Sequence, residues 1–208
     1  MNNQAEYLFE TSDVRKEYGK NKDIIVKALD GVDLKIKKGE FTSIVGPSGS
    51  GKSTLLNLLS GLDKASSGKV VLNGSDLSEM KSGELSDFRR DHIGFVFQSY
   101  NLIPVLSVKE NIEYIMVLQG KSVSERKKRV SEVLREVGLQ GKEDSLPREL
   151  SGGQQQRVAV ARAIAAKPEI IIADEPTANL DSATGGALVE MMRELNRKHG
   201  TTFIFSTQ

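Results

Sequence analysis

Lys52, followed by the hydroxyls of Ser53 and Thr54, ends the glycine-rich run Gly46-Pro47-Ser48-Gly49-Ser50-Gly51. A lysine, a hydroxyl and glycines at this spacing, between an apolar strand and an amphipathic helix, are the parts of a phosphate-binding loop. Glycines let the backbone curl so that successive N–H groups face inward, and a helix beginning there adds the positive end of its dipole. Ser48, Gly49, Ser50, Gly51, Lys52, Ser53 and Thr54 are therefore expected to wrap phosphates. Lys52 supplies a full charge for the β- and γ-phosphates, and Ser53 a hydroxyl ligand for Mg2+.

A second group is Ile170-Ile171-Ile172-Ala173-Asp174-Glu175-Pro176, an apolar strand that ends in two acids. Two acids after a strand would by themselves read as a cap or a loop. Downstream of a phosphate loop, Asp174 becomes the acid that holds Mg2+ or its water. Alternation along the strand is expected to turn Glu175 to the opposite side, free to polarise a water that attacks the γ-phosphate. A third group, Leu150-Ser151-Gly152-Gly153-Gln154, precedes a helix. Ser151 and Gln154 have capping-box spacing, which reads as a helix start and no more. Two consecutive glycines weaken a helix, however, and bring its N-terminal N–H groups close to something, for which an anion is suited.

These groups need a scaffold. Apolar runs at 8–14, 24–36, Phe41–Val45, 69–72, 93–97, 169–173 and 202–206 read as strands. Helical patterns cover Lys52–Leu59, one long charged stretch at 107–137, the segment from Ser151 to Pro168, and 188–198. Continuous apolar strands alternating with helices predict an α/β fold: a P-loop NTPase core with a mostly parallel sheet. An N-terminal antiparallel β portion and an inserted helical lobe are expected beside it. The 208 residues are read as one domain, with a catalytic core at 1–98 and 168–208 and the lobe at 99–167.

With 29 basic and 28 acidic residues there is no global basic field, so nucleic acid is not the expected partner. The absence of cysteine excludes disulfides and thiolate metal sites. His92 and His199 lie far apart among charged neighbours and read as surface residues. The N-terminal residues have no signal-peptide pattern, and no apolar run approaches the roughly 20 residues that span a bilayer.

The three groups, in this order and spacing, resemble the nucleotide-binding subunits of ABC transporters over nearly the whole chain. The resemblance implies ATP and Mg2+ as cofactors and ATPase activity coupled to a separate transmembrane permease. It places the chain in the cytoplasm, peripheral on the inner face of the cell membrane. It implies that Tyr18, by itself a loop aromatic, stacks on adenine. Gln98 would contact Mg2+ and sense the membrane subunit, and Ala178-Asn179-Leu180-Asp181 would lie at a dimer interface. Two copies would sandwich two ATP molecules head to tail, with Ser151, Gly153 and Gln154 of one facing the γ-phosphate held by the other.

Gly61-Leu62-Asp63, Phe95-Val96-Phe97-Gln98, Asn101-Leu102-Ile103-Pro104 and Thr177-Ala178-Asn179-Leu180-Asp181 are similar to the lipoprotein-releasing and macrolide-exporting subgroup. Residues 99–112, with Tyr100, Leu102, Ile103 and Val105, either dock the membrane subunit or pack the lobe on the core. After Thr207 the family places a catalytic histidine. This chain has Gln208, and its 208 residues end before the elements that follow in the family. Glutamine donates a hydrogen bond but lacks imidazole's charge and proton chemistry. The alternative to a transport ATPase is therefore a hydrolysis-poor regulatory module whose output is dimerisation.

Overall fold

The computed structural model describes residues 7–19 and 25–208. The expected strand start at Ile24 and the loop before it fall outside those residues. Fourteen main elements follow in order: β1 (Tyr7–Tyr18), β2 (Val26–Lys37), β3 (Phe41–Val45), α1 (Lys52–Leu59), β4 (Ser67–Leu72), β5 (Ser75–Asp76), α2 (Ser82–His92), β6 (Ile93–Val96), α3 (Val108–Leu118), α4 (Val123–Glu136), α5 (Gly152–Ala165), β7 (Ile170–Ala173), α6 (Ser182–His199) and β8 (Thr202–Thr207). A 3-10 turn at Pro147–Glu149 precedes α5.

The strands form two sheets. One is antiparallel, in the order β2-β1-β4-β5; the other is parallel, in the order β3-β8-β7-β6. The fold is thus the α/β architecture expected, with its antiparallel portion at the N-terminal end. All four residues of β7 are buried, as a strand covered on both faces requires. Their alternation divides the interior. Ile171 and Ala173 join a cluster with α3, α4, α5 and α6, whereas Ile170 and Ile172 join α1 and the antiparallel sheet.

Three helices differ from expectation, each for a local reason. The single helix expected at 107–137 is two. Gly120, at φ 71°, stops α3, and Ser122 restarts the chain as α4 through a capping box with Glu125. Helix α2 was not anticipated; Leu85 is its one buried residue, so its sequence carries almost no apolar period. Helix α6 begins at Ser182 rather than 188, because the Asp181 side chain accepts hydrogen bonds from the N–H groups of Ala183 and Thr184. That cap holds an opening stretch that includes Gly185 and Gly186, which hide the start of the helix from propensity reasoning. Residues 99–150 contain α3, α4 and the 3-10 turn but no strand. Among the described residues no helix is long and apolar enough to cross a membrane.

Candidate functional site

The site is assembled where β3, β7 and β8 end beside the N-terminus of α1. Gly51 caps α1 with φ 90°, and a Cβ there would stand 2.6 Å from the Ala28 carbonyl oxygen, so only glycine fits. Helix α1 has no side-chain cap and no acid in its first turn. Its first N–H groups therefore remain available to an anion, and the helix dipole points the same way. Ser48, Gly49, Ser50 and Ser53 are exposed, which leaves the loop open to solvent.

Lys52 is buried, with 7% of its surface exposed. Its Nζ donates to the carbonyls of Gly46 at 2.8 Å and Pro47 at 3.1 Å and lies 3.5 Å from Glu175 Oε1. Ser53 Oγ donates to Asp174 Oδ1 at 3.0 Å. Two residues 121 positions apart in sequence thus place a hydroxyl and a carboxylate side by side at the helix N-terminus. Such hard oxygen donors suit a divalent cation that is completed by phosphate and water. Among the described residues no group of three or more His, Cys, Asp or Glu could hold a metal without such help.

Glu175 reaches its place differently from the alternation expected. Strand β7 ends at Ala173, and Glu175 has φ 42°, a left-handed conformation in which a residue with a Cβ is rarely found. A backbone turn, not the strand period, therefore sets the direction of its side chain. The Glu175 N–H donates to Ser206 Oγ at 2.8 Å, and Ser206 Oγ donates to Asp174 Oδ1 at 2.8 Å. Gln208 Nε2 approaches Glu175 Oε1 at 3.4 Å. Gln98, Glu175, Thr177, Ala178, Thr207 and Gln208 line a hollow of about 380 Å3. The structure therefore gathers the phosphate loop, Asp174, Glu175, Gln98 and Gln208 in one corner.

Tyr18 stands at its edge. Its hydroxyl donates to Asp63 Oδ2 at 2.9 Å, and Lys16 Nζ sits 4.9 Å from its ring centroid. Burial and the bond to Asp63 raise the phenol above its usual pKa, with a smaller opposing contribution from a hydrogen bond to Thr54. Burial pushes Asp63 up, but hydrogen bonds from Lys16, the Lys64 N–H and Tyr18 hold it below the usual carboxylate value. The ring is thus 43% exposed yet fixed beside the end of the phosphate loop.

Ser151, Gly153 and Gln154 lie elsewhere. Ser151 caps α5, and the capping box is complete: Gln154 N–H donates to Ser151 Oγ and Ser151 N–H to Gln154 Oε1. A Cβ on Gly152 would meet the Tyr100 hydroxyl at 2.9 Å, and one on Gly153 would meet Thr184 Cγ2 at 2.6 Å. The two glycines thus also lie close to the side chains of Tyr100 and Thr184. Ser151 itself is exposed. Sequence reasoning names Asp63 only as part of a subgroup segment, and it misses Ser206 and buried Gln156, whose amide donates to the Pro176 carbonyl and ties α5 to the acidic turn. For Ser206 a signal existed, a hydroxyl interrupting the apolar run Phe203-Ile204-Phe205.

With this geometry in place, the comparisons with known proteins are consistent with one another. The family described as ABC transporter matches residues 29–178. The ABC transporter ATP-binding protein YtrE of Bacillus subtilis is 48% identical over 90% of this chain and 81% of its own. The macrolide export ATP-binding/permease protein MacB of Mannheimia succiniciproducens is 44% identical over 96% of this chain and 31% of its own. A solved dimeric structure, described as a post-hydrolysis state of the ATP-binding cassette MJ0796 bound to ADP and Pi, has a TM-score of 0.87 at 44% identity. It covers 96% of this chain and 88% of that one; MJ0796 is a protein of Methanocaldococcus jannaschii. The chain belongs to the ABC transporter family, as one of its ATPase cassettes. A post-hydrolysis structure of so similar a relative weighs against the hydrolysis-poor module.

Proposed function

We propose that this chain binds Mg-ATP in the corner formed by residues 46–54, Asp174 and Glu175, hydrolyses it, and couples the cycle to a transmembrane permease. The observation that carries this reading is the Ser53–Asp174 contact beneath the bare N-terminus of α1, with Lys52 and Glu175 3.5 Å apart beside it. The loop N–H groups and Lys52 hold the β- and γ-phosphates, and Ser53, Asp174 and Gln98 provide oxygen ligands for Mg2+. Mg2+ held there would supply positive charge to offset the negative charge that develops on the phosphates. Glu175 accepts a hydrogen bond from the attacking water and orients it. Tyr18 stacks on the adenine. Mg2+-dependent release of phosphate from ATP by the purified chain tests the reading, and no release above buffer would reject it.

Two copies joined head to tail complete the site. The exposed Ser151 and the α5 N-terminus of one then face the γ-phosphate held by the other, and residues 178–181 line the seam. The dimeric form of the similar cassette supports the pairing of two copies. Residues 1–98 and 168–208 act as the catalytic core and 99–167 as the lobe that carries α5.

Gln208 faces the hollow beside Glu175, but a 3.4 Å contact is weak. A positioned donor is typically worth about 10²–10³ in rate, of which a flexible amide supplies part. Gln208→His is expected to raise the single-turnover hydrolysis rate by about tenfold or more while ATP affinity stays unchanged. Equal rates would mean that position 208 does not act on the reaction.

The permease docks in a groove of about 430 Å3 between α2, β6, α3 and α5, lined by Leu62, Phe95, Phe97, Ile103, Tyr114 and Leu118. Leu62, Tyr114 and Leu118 leave about half of their surface exposed, at 46%, 46% and 52%. Such contiguous apolar exposure marks an interaction surface. Of the residues first considered for docking, Leu102 packs against the core and Tyr100 against Gly152, whereas Ile103 lines the groove and Val105 is exposed. The groove's position between core and lobe and the ATP-binding/permease name of a relative support a membrane partner, with export or lipoprotein release as its work. The chain then sits on the cytoplasmic face of the membrane. Because the chain has no cysteine, Leu118→Cys introduces a unique thiol. Cross-linking in cells from Leu118→Cys should capture an integral membrane protein, while Lys35→Cys on the antiparallel sheet should not. Capture by neither would reject the groove as the docking site.

A further inference from the structure

Strand β8 delivers one polar side chain to the catalytic corner that neither the phosphate loop nor the pair of acids accounts for. Ser206 is 0% exposed and follows Phe203, Ile204 and Phe205, all at least partly buried. A hydroxyl in that position must find partners or lose the hydration it had in the unfolded chain. It finds two, and both belong to the acidic turn. Ser206 Oγ accepts the Glu175 N–H at 2.8 Å and donates to Asp174 Oδ1 at 2.8 Å.

Each bond answers a specific structural need. The parallel ladder between β7 and β8 ends with Ala173 opposite Phe205, so it provides no partner for the Glu175 N–H. With φ 42°, Glu175 adopts a conformation that survives only where the surroundings over-determine it. The acceptor on Ser206 provides that restraint. On the other side, Asp174 Oδ1 receives two hydroxyl hydrogens, from Ser53 at 3.0 Å and from Ser206. One comes from the phosphate loop and one from β8, and together they fix the carboxylate between the two. An apolar residue of similar size would leave a buried N–H unpaired and let the carboxylate turn.

We propose that Ser206 is a positioning residue for both acids, holding the Asp174 carboxylate and the Glu175 backbone in one register. Cation binding at Ser53 and Asp174 and water orientation at Glu175 then depend on the same buried hydroxyl. This inference rests on the Mg-ATP reading above and deepens it. Groups that orient a metal ligand typically change metal affinity or activity by about 10–100-fold when removed.

The test compares Ser206→Ala and Ser206→Thr with the parent, using Mn2+ as a spectroscopic probe in the presence of ADP. Ser206→Ala should weaken Mn2+ binding, read by electron paramagnetic resonance, and lower kcat, each by about tenfold or more. ADP binding in EDTA, which needs the phosphate loop and Tyr18 but no cation, should remain within about twofold of the parent, well short of a tenfold change in affinity. Ser206→Thr keeps the hydroxyl and should restore Mn2+ affinity. A side chain that merely packs β8 would change thermal stability and leave Mn2+ affinity alone. The proposal is overturned if Ser206→Ala binds Mn2+ and turns over like the parent, or if it loses metal-free ADP binding to the same degree. A parent that shows no Mn2+-dependent nucleotide binding would remove the Mg-ATP reading itself, an outcome distinct from a normal parent with an unaffected variant.

Discussion

Glu175→Gln is expected to lower ATP turnover by about 10²–10⁴-fold, the range for loss of a positioned general base, while ATP binding survives or strengthens. The amide has the same shape as the carboxylate and keeps the backbone N–H that donates to Ser206. It lacks the negative charge that draws a proton from water. The same charge lies 3.5 Å from Lys52 Nζ, so the carboxylate competes with phosphate for that lysine. Neutralising it relieves the competition, which gives binding and turnover opposite signs. Under the head-to-tail proposal the variant also halts the cycle with ATP held between two copies. Light scattering with Mg-ATP should therefore find a dimer that ADP does not support. A variant that turns over within tenfold of the parent would remove Glu175 from the reaction. Normal loss of turnover with only monomer present would leave the base in place and reject the sandwich.

The parts of this site that were legible in the sequence are those encoded by contiguous residues. Gly46 to Thr54 forms one loop, and its glycine at 51, lysine at 52 and hydroxyl at 53 occupy their places because a strand precedes them and a helix follows. The apolar run of β7 announced a buried parallel strand, and Asp174 emerges at its end. Less visible was whatever depends on distant parts of the chain meeting. Ser206 is bonded to residues 31 and 32 positions away, and Asp63 to Tyr18 across 45. Nothing in local spacing states such pairings.

Glu175 shows a subtler limit. Strand alternation predicts that its side chain lies opposite that of Asp174, yet β7 ends at Ala173 and Glu175, two residues further on, stands in a left-handed turn to which the period of a strand does not apply. The glycines at 152 and 153, for which the sequence predicts an anion, also lie against the side chains of Tyr100 and Thr184, a contact between distant residues that local spacing does not state. Helix α2 and the start of α6 are obscured because charge in one and paired glycines in the other suppress the apolar period. Their places are set by capping and tertiary packing, which outweigh weak local propensity.

Lys52→Ala is expected to weaken ATP and ADP binding strongly and AMP binding hardly at all. Lys52 Nζ is held against the carbonyls of Gly46 and Pro47 and points toward Glu175, inside the curl that receives the outer phosphates. It is the one full positive charge within residues 46–54. Hydrogen bonds to charged groups contribute about 1.5–3 kcal/mol each. At about 1.4 kcal/mol per tenfold, losing one such contact lowers affinity by about 10–150-fold. The helix dipole and loop N–H groups remain, so binding weakens without vanishing. AMP has only the α-phosphate, out of the lysine's reach in the proposed pose, and Tyr18 still contacts its base. It therefore serves as an internal control for folding of the site. Calorimetric titration of the three nucleotides against parent and variant measures the pattern directly. Loss of AMP binding along with ATP would mean that the substitution collapses the loop, whose carbonyls would have lost their donor. ATP affinity within twofold of the parent would mean that residues 46–54 do not hold the β- and γ-phosphates as proposed.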